Sequence, residues 1–307
     1  MPAPSSPGIG HIVARLLPPS RLVLPTLTFQ YPLKLISSAL PTAQCLTVFI
    51  LSYGGGLVSN DTIHLSATIE TGAKLCLLTQ GSTKVFRRVQ PSHLTQQELH
   101  VTLHARSALL LLPDPIAPFA DSAYRQTQRF YLPADDTASI IMLDWLTEGR
   151  SASGEKWDFH AFVSRNEFFL PREDGSQRLM LRDAMVLERV GVEEEAELRD
   201  RMEGMAVFAT LVIRGPMFKL LEAEILQRFR EEPRIGNRNW DDGKVEKRRW
   251  EGVVWTAARV RGFVLVKVGG RSLQEVRGFL RMLLEEGEGG RGEVVGKFGE
   301  GCLLCLQ

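Results

Sequence analysis

This 307-residue sequence predicts an α+β fold, with a β-rich body and two or three helices toward the C-terminus. Three observations carry that expectation. Apolar and polar residues alternate with period two through much of the first two thirds, as they do in half-buried strands. Turn-forming residues punctuate the same region at short intervals. Past residue 190 the pattern changes to short apolar runs, each followed by apolar residues at helical spacing.

Residues 1–26 contain Pro18, Pro19 and Pro25 and no acidic side chain, the first being Asp61. They are expected to form a flexible N-terminal segment. The prolines would break the amphipathic helix that an import peptide needs. From 27 to 190 the strand pattern dominates. Ile63, Leu65, Ala67 and Ile69 oppose His64, Ser66, Thr68 and Glu70, and Leu99, Val101 and Leu103 oppose His100, Thr102 and His104. Trp157, Phe159, Ala161 and Val163 repeat the alternation against Asp158, His160 and Ser164. The apolar runs 109–112 and 140–143 suit strands buried on both faces. A barrel, a sandwich and a β-helix-like stack all satisfy this pattern.

Residues 191–285 are expected to form an α+β part packed on the body. A charged linker around Glu193 to Glu197 leads to a strand over 205–213. Phe218, Leu221, Ile225 and Phe229 then give one face of a helix over 217–230. A charged loop over 231–249 precedes a second strand, 262–268, and a second helix. Ser272 and Glu275 have the spacing of a capping box for that helix. The Gly- and Glu-rich tail, 286–307, is expected to be disordered.

Composition narrows the function classes. Lys and Arg number 37 against 36 Asp and Glu, a net charge of +1, so there is no basic footprint for nucleic acid. No apolar run reaches the ~20 residues needed to span a bilayer. Four cysteines are too few for a disulfide scaffold of this length, which suits a reduced, cytoplasmic protein.

Neither glycine-rich segment is a P-loop: Gly54, Gly55 and Gly56 lack a following Lys, and the order in Gly81-Ser82-Thr83-Lys84 is wrong. Ser151 lies in a near-match to a nucleophile elbow, but Ser153 replaces the required glycine and another strand follows. His100 and His104 on a strand would stand about 13 Å apart, too far to share an ion comfortably. Cys302 and Cys305 form a C-x-x-C with no second pair nearby in sequence. Asp61, Asp114, Asp144, Glu148 and Glu155 lie at strand edges or turns, where they can close turns, pair with Arg or offer oxygen ligands. No nucleophile or acid–base set has workable spacing, and no enzyme activity is expected.

Four segments together resemble the urease accessory protein D family. They are Tyr53-Gly54-Gly55-Gly56-Leu57-Val58-Ser59-Asn60-Asp61; Thr79-Gln80-Gly81-Ser82-Thr83-Lys84-Val85-Phe86-Arg87; Pro113-Asp114-Pro115 through Pro118-Phe119 to Tyr124 and Gln126; and Asp144-Trp145-Leu146 with Gly149-Arg150, Gly154-Glu155 and Trp157. Ser59-Asn60 departs from the Gly-Gly common in bacterial members, and Phe86 stands where tyrosine is common. The resemblance implies a scaffold and metallochaperone that works with F-type and G-type (GTPase) accessory proteins. Together they would bring nickel to apo-urease, with a homodimer within the complex allowed. It implies transient nickel and no tightly bound cofactor. It also places Asp61, Asp144 and Glu155 as candidates for a carboxylate-lined nickel path. Tyr53, Gly54, Gly55, Gly56, Lys84, Pro113, Asp114, Arg150 and Trp157 become motif or partner-binding candidates. The alternative is a β-rich interaction module with no metal role.

Overall fold

The computed structural model describes residues 6–38, 44–189, 198–232, 250 and 252–307. The expected charged linker and most of the charged loop lie outside these residues.

The N-terminus opens with β1 (Ile9–Leu17), β2 (Arg21–Phe29), β3 (Leu33–Ser38) and β4 (Leu46–Ser52). Strands then recur in sets: β5 (Gly56–Leu57) with β6 (Thr62–Ile69); β7 (Lys74–Leu78), β8 (Thr83–Val85) and β9 (Thr95–Leu103); β10 (Ala108–Leu112), β11 (Ile116–Pro118) and β12 (Ala123–Tyr131); and β13 (Ser139–Thr147) with β14 (Ala161–Pro171). Strands β4, β7, β10 and β13 stack in parallel as one sheet, and β6, β9, β12 and β14 as a second. The short strands β5, β8 and β11 form a parallel ledge between them. The chain therefore coils, placing one strand in each sheet per turn. Register pairs Leu46 with Leu75, Leu75 with Leu109 and Leu109 with Ile140. Of the three architectures the alternation allows, the β-helix-like stack is the one adopted.

Antiparallel strands close both ends. β1 pairs in parallel with β6 and antiparallel with β2, extending the second sheet, while β3 extends the first. At the other end β15 (Gln177–Glu188) lies against β14. After α1 (Leu198–Arg201), β16 (Val207–Arg214) joins β13; beyond it come α2 (Lys219–Glu231), β17 (Val253–Val260), β18 (Phe263–Gly270) and α3 (Leu273–Glu285). β18 pairs with β16 and β17 with β18, completing the first sheet.

Two apolar cores result. One fills the space between the sheets with Ile63, Leu65, Leu99, Val101, Leu109 and Met142. The other lies on the outer face of the first sheet, where Leu110, Leu143 and Leu211 meet Leu221 of α2 and Phe279 and Leu283 of α3. This explains why β10 and β13 read as unbroken apolar runs: helices cover the face that would otherwise be wet. The second sheet keeps its outer face in solvent, so β6 alternates cleanly. Both helices form where the spacing places them, and the Ser272 hydroxyl accepts from the Glu275 amide at 3.2 Å to cap α3.

The structure corrects two expectations. Residues 9–29 are paired strands rather than a flexible segment. Among the described residues of 198–285, β16, β17 and β18 complete the body's first sheet, and α2 and α3 pack on its outer face. The tail is folded: helical turns Gly287–Gly289, Gly290–Val295, Gly296–Phe298 and Glu300–Leu306 bury Phe298, Cys302, Leu303, Cys305 and Leu306 against the outer core. Its glycines allow close packing that a β-carbon would block, since one on Gly289 would meet the Leu221 amide nitrogen at 2.5 Å. No helix among the described residues is long and apolar enough to cross a membrane.

Candidate functional site

The inward positions of β12 read Tyr124, Gln126, Gln128, Phe130, and those of β14 read Phe162, Ser164, Asn166, Phe168. Parallel register puts them side by side: Tyr124 with Phe162, Gln126 with Ser164, Gln128 with Asn166, Phe130 with Phe168. Aromatic pairs at 5.6 Å and 4.8 Å thus bracket a polar layer inside the stack. Asp144 enters this layer from β13. Its Oδ1 accepts from Gln126 Nε2 at 3.1 Å, and its Oδ2 accepts from the Ser164 hydroxyl at 2.5 Å and Asn166 Nδ2 at 2.8 Å. The Gln128 amide donates to Asn166 at 3.0 Å, and the Tyr124 hydroxyl reaches Gln126 Oε1 at 3.0 Å and Gln97 Oε1 at 3.2 Å. Such a network must be complete to be tolerable at this depth.

Asp144 is only 8% exposed. Burial pushes its carboxyl pKa up, and Asp183 nearby adds to the rise; the three donors pull the other way without cancelling it. Beside it lies a cavity of about 60 Å³ lined by Asp144, Asp114, Gln97, Gln126, Gln128 and Thr79, among others. That is room for about two waters. Asp114 marks the cavity's other carboxylate. Its Oδ2 accepts from the Thr79 hydroxyl at 3.1 Å and the Gly81 amide at 2.9 Å, and Arg277 of α3 approaches Oδ1 at 3.5 Å. Carboxylate, amide and hydroxyl oxygens around this small space are donor types that bind a divalent cation weakly.

On the far side of Asp144 the polar layer continues. Register sets Asp144, Thr210 and Lys267 side by side across β13, β16 and β18, facing Gln128, Asn166 and Asp183 across β12, β14 and β15. Lys267 Nζ donates to Asp183 and, at 2.8 Å, to the Thr210 hydroxyl.

The other candidates from sequence lie elsewhere. Asp61 closes a turn, its Oδ2 accepting from the Val58 amide at 2.8 Å; partial burial raises its pKa against that bond. Glu155 pairs with Arg150 through both carboxylate oxygens and also accepts the Ala120 amide at 3.0 Å. Arg150 in turn lies over the Phe119 ring at 4.2 Å. The structure therefore does not bring Asp61, Asp144 and Glu155 together; Asp144 and Asp114 share the cavity. Among the described residues, no three His, Cys, Asp or Glu side chains are grouped to hold a metal ion.

The Glu155 pair has a testable sign. The bond from Arg150 is the largest cause holding the Glu155 pKa below the ordinary 4.5. A depressed folded-state pKa stabilises above the unfolded value and is lost as pH falls through the folded one. Glu155→Gln should therefore lower the urea midpoint at pH 7. Its deficit against the unsubstituted chain should shrink as pH drops below 4.5; a deficit constant with pH would contradict the pairing.

Tyr53 is half-exposed, 5.6 Å from both the Tyr31 ring and Lys34 Nζ. Gly54 and Gly55 take φ of 76° and 73°, a left-handed turn that side chains resist. Gly56 serves close approach instead: a β-carbon there would meet the Lys84 carbonyl oxygen and the Phe86 ring at 2.7 Å. Lys84 is exposed on the ledge. Pro113 supplies the carbonyl that accepts from Trp145 Nε1 at 2.8 Å, and buried Trp157 donates to the Met205 carbonyl at 2.8 Å. Trp157 adopts φ of 56° and precedes a change of phase: β14 starts at Ala161, so Ser164 points inward rather than to solvent as the alternation suggests. His100 projects from β9 and bonds to Arg129 at 2.9 Å, as a strand position would. The tail carries Cys302 and Cys305 to the cluster that contains Cys45 and Cys76; burial pushes the Cys302 thiol up to about 12.

Sequence reasoning missed Gln97, Gln128, Asn166, Asp183, Thr210 and Lys267. The available signal was a pair of amides, Gln126 and Gln128, on the face of β12 that also carries Tyr124 and Phe130.

Residues 11–295 match the family model described as UreD urease accessory protein. A Schizosaccharomyces pombe protein described as an uncharacterized ureD-like urease accessory protein is 32% identical over 263 residues, covering 84% of this chain and 87% of its own. Urease accessory protein 4 of Cryptococcus neoformans is 36% identical, covering 74% of this chain and 78% of its own. UreD of Sorangium cellulosum is 36% identical, covering 85% and 74%. A match over so much of the chain, joined to the motifs around the cavity, leaves one conclusion: this protein belongs to the UreD family of urease accessory proteins.

Proposed function

We propose that the chain is a cytoplasmic scaffold and metallochaperone. With F-type and G-type accessory proteins it passes nickel to apo-urease during active-site assembly. The observation that carries this reading is the buried polar layer with Asp144 at its centre. A β-stack that only displayed surfaces would gain nothing from a carboxylate placed where ionisation is disfavoured. A passage needs such a group: oxygen ligands strong enough to replace part of a cation's hydration and weak enough to release it. Partners would meet the ends of the stack and its outer faces, while the ion travels inside.

Reconstitution tests the whole reading. Apo-urease is co-expressed with the F- and G-type proteins, with and without this chain, in cells lacking endogenous maturation. Urease activity and nickel per urease are measured. Both are expected to depend on the chain. Full activation in its absence would overturn the reading.

A further inference from the structure

We infer that Lys267 is a resident cation at the end of the polar layer, and that a divalent cation replaces it beside Asp183 when the ammonium swings out to solvent. This rests on the nickel-passage reading and adds to it a named exchange point.

The geometry is specific. Asp144, Thr210 and Lys267 occupy neighbouring inward positions on three adjacent strands, and Asn166 and Asp183 face them from the other sheet. Asn166 ties the two sheets by donating to Asp144 at 2.8 Å, and Lys267 ties them again by donating to Asp183. Thr210 is 1% exposed and the Asp183 side chain 11%, but the Lys267 side chain is 37% exposed. The lysine is thus the member of the layer that reaches water. Its flexible four-carbon stem lets the ammonium leave without moving the strands. When it leaves, Asp183 is a largely enclosed carboxylate without its ammonium partner, beside the Thr210 hydroxyl and one step from Asp144. Such a group draws in another cation strongly, because an unpaired buried charge is costly. The exchange is not charge-neutral: the incoming ion brings two positive charges where the ammonium brought one, Asp183 offsets one of them, and the tethered ammonium is screened by solvent ions.

An ordinary internal ion pair would make a different prediction. Removing one partner would cost stability and do nothing for metal binding. The test therefore reads nickel binding directly, by calorimetric titration of the purified full-length chain with Ni²⁺ in chelator-free buffer. Lys267→Met is expected to bind one Ni²⁺ at least about tenfold more tightly than the unsubstituted chain. Lys267→Met combined with Asp183→Asn should return to the starting affinity, and Lys267→Arg should not tighten it. Lys267→Gln, which leaves a polar group beside Asp183, takes the place of the Met variant if that one does not fold. Unchanged nickel affinity in a folded neutral variant overturns the inference. So does tightening that survives Asp183→Asn, since the ion would then sit elsewhere. Because these readouts use no urease, failure here is separable from failure of the passage itself, which urease activation reports.

Discussion

A chain ended at Gly299 is expected to lose most of its stability and to be recovered mainly as insoluble protein. The eight residues removed look dispensable by composition, yet Cys302, Leu303, Cys305 and Leu306 are each 2–3% exposed. They cover the outer face of the first sheet, in one cluster with Cys45 and with Cys76, Leu110 and Leu112 of that face. Burying a leucine contributes about 1.5–3 kcal/mol, so the four side chains sum to roughly 6 kcal/mol. A whole domain is stable by only about 5–15 kcal/mol. Urea unfolding checks the point, with dye binding to report the uncovered sheet. Leu304→Ser is the control: Leu304 is 44% exposed and should change stability by no more than about 0.5 kcal/mol. An unchanged midpoint for the truncated chain would mean the tail is not packed.

That tail marks one limit of what sequence patterns reveal. Residues 286–307 hold glycine and glutamate at a density that reads as unfoldable. The glycines in fact permit contact with α2, and the glutamates act locally: Glu293 accepts the Leu221 amide at 2.9 Å near the start of that helix. Burial of both faces of β10 and β13 was legible, because an unbroken run such as Ala108–Leu112 has no polar side to offer water. What covered the outer face was not, since only the fold brings Phe279 and Leu303 there. The N-terminal strands were hidden for a related reason. Prolines argue against a helix but tolerate an edge, and β2, which contains Pro25, is the edge strand of its sheet.

The site divides along the same line. Asp144 and Asp114 were legible through motif resemblance. Their partners were not, because parallel coiling places Gln126, Asp144, Ser164 and Asn166 together from three strands, and alternation specifies a face without saying what lies opposite. Asp61 and Glu155 share motif character with Asp144 but do not line the cavity. Asp61 closes its own turn, and Glu155 is held by Arg150 and a backbone amide.

Asp144→Asn is expected to cut urease activation at least about tenfold while leaving the fold intact. The substitution preserves shape and removes charge. The new amide brings two N–H groups where the carboxylate had none, and a flip of Gln126 offers its Oε1 to one of them, giving up the Gln126 bond to Ser164. Tyr124 then still donates to Gln97 Oε1 at 3.2 Å and can accept from the flipped Gln126 amide. One donor is left to find an acceptor, so the stability change should stay within about 3 kcal/mol. It should also move in the variant's favour as pH rises: burial holds the Asp144 pKa above 3.8, so the folded wild-type chain retains a proton that the unfolded chain gives up, and it loses stability as pH climbs from 3.8 through the folded value. The amide of the substituted chain does not titrate and has no such loss. Asp144→Ala would instead strand the Gln126, Ser164 and Asn166 donors, at about 1–3 kcal/mol each, and confuse misfolding with lost conduction. Activity and nickel content of co-expressed urease decide the matter. Full activation by the Asp144→Asn variant would mean that no ion needs the carboxylate, and the interaction-module reading would be the one left standing.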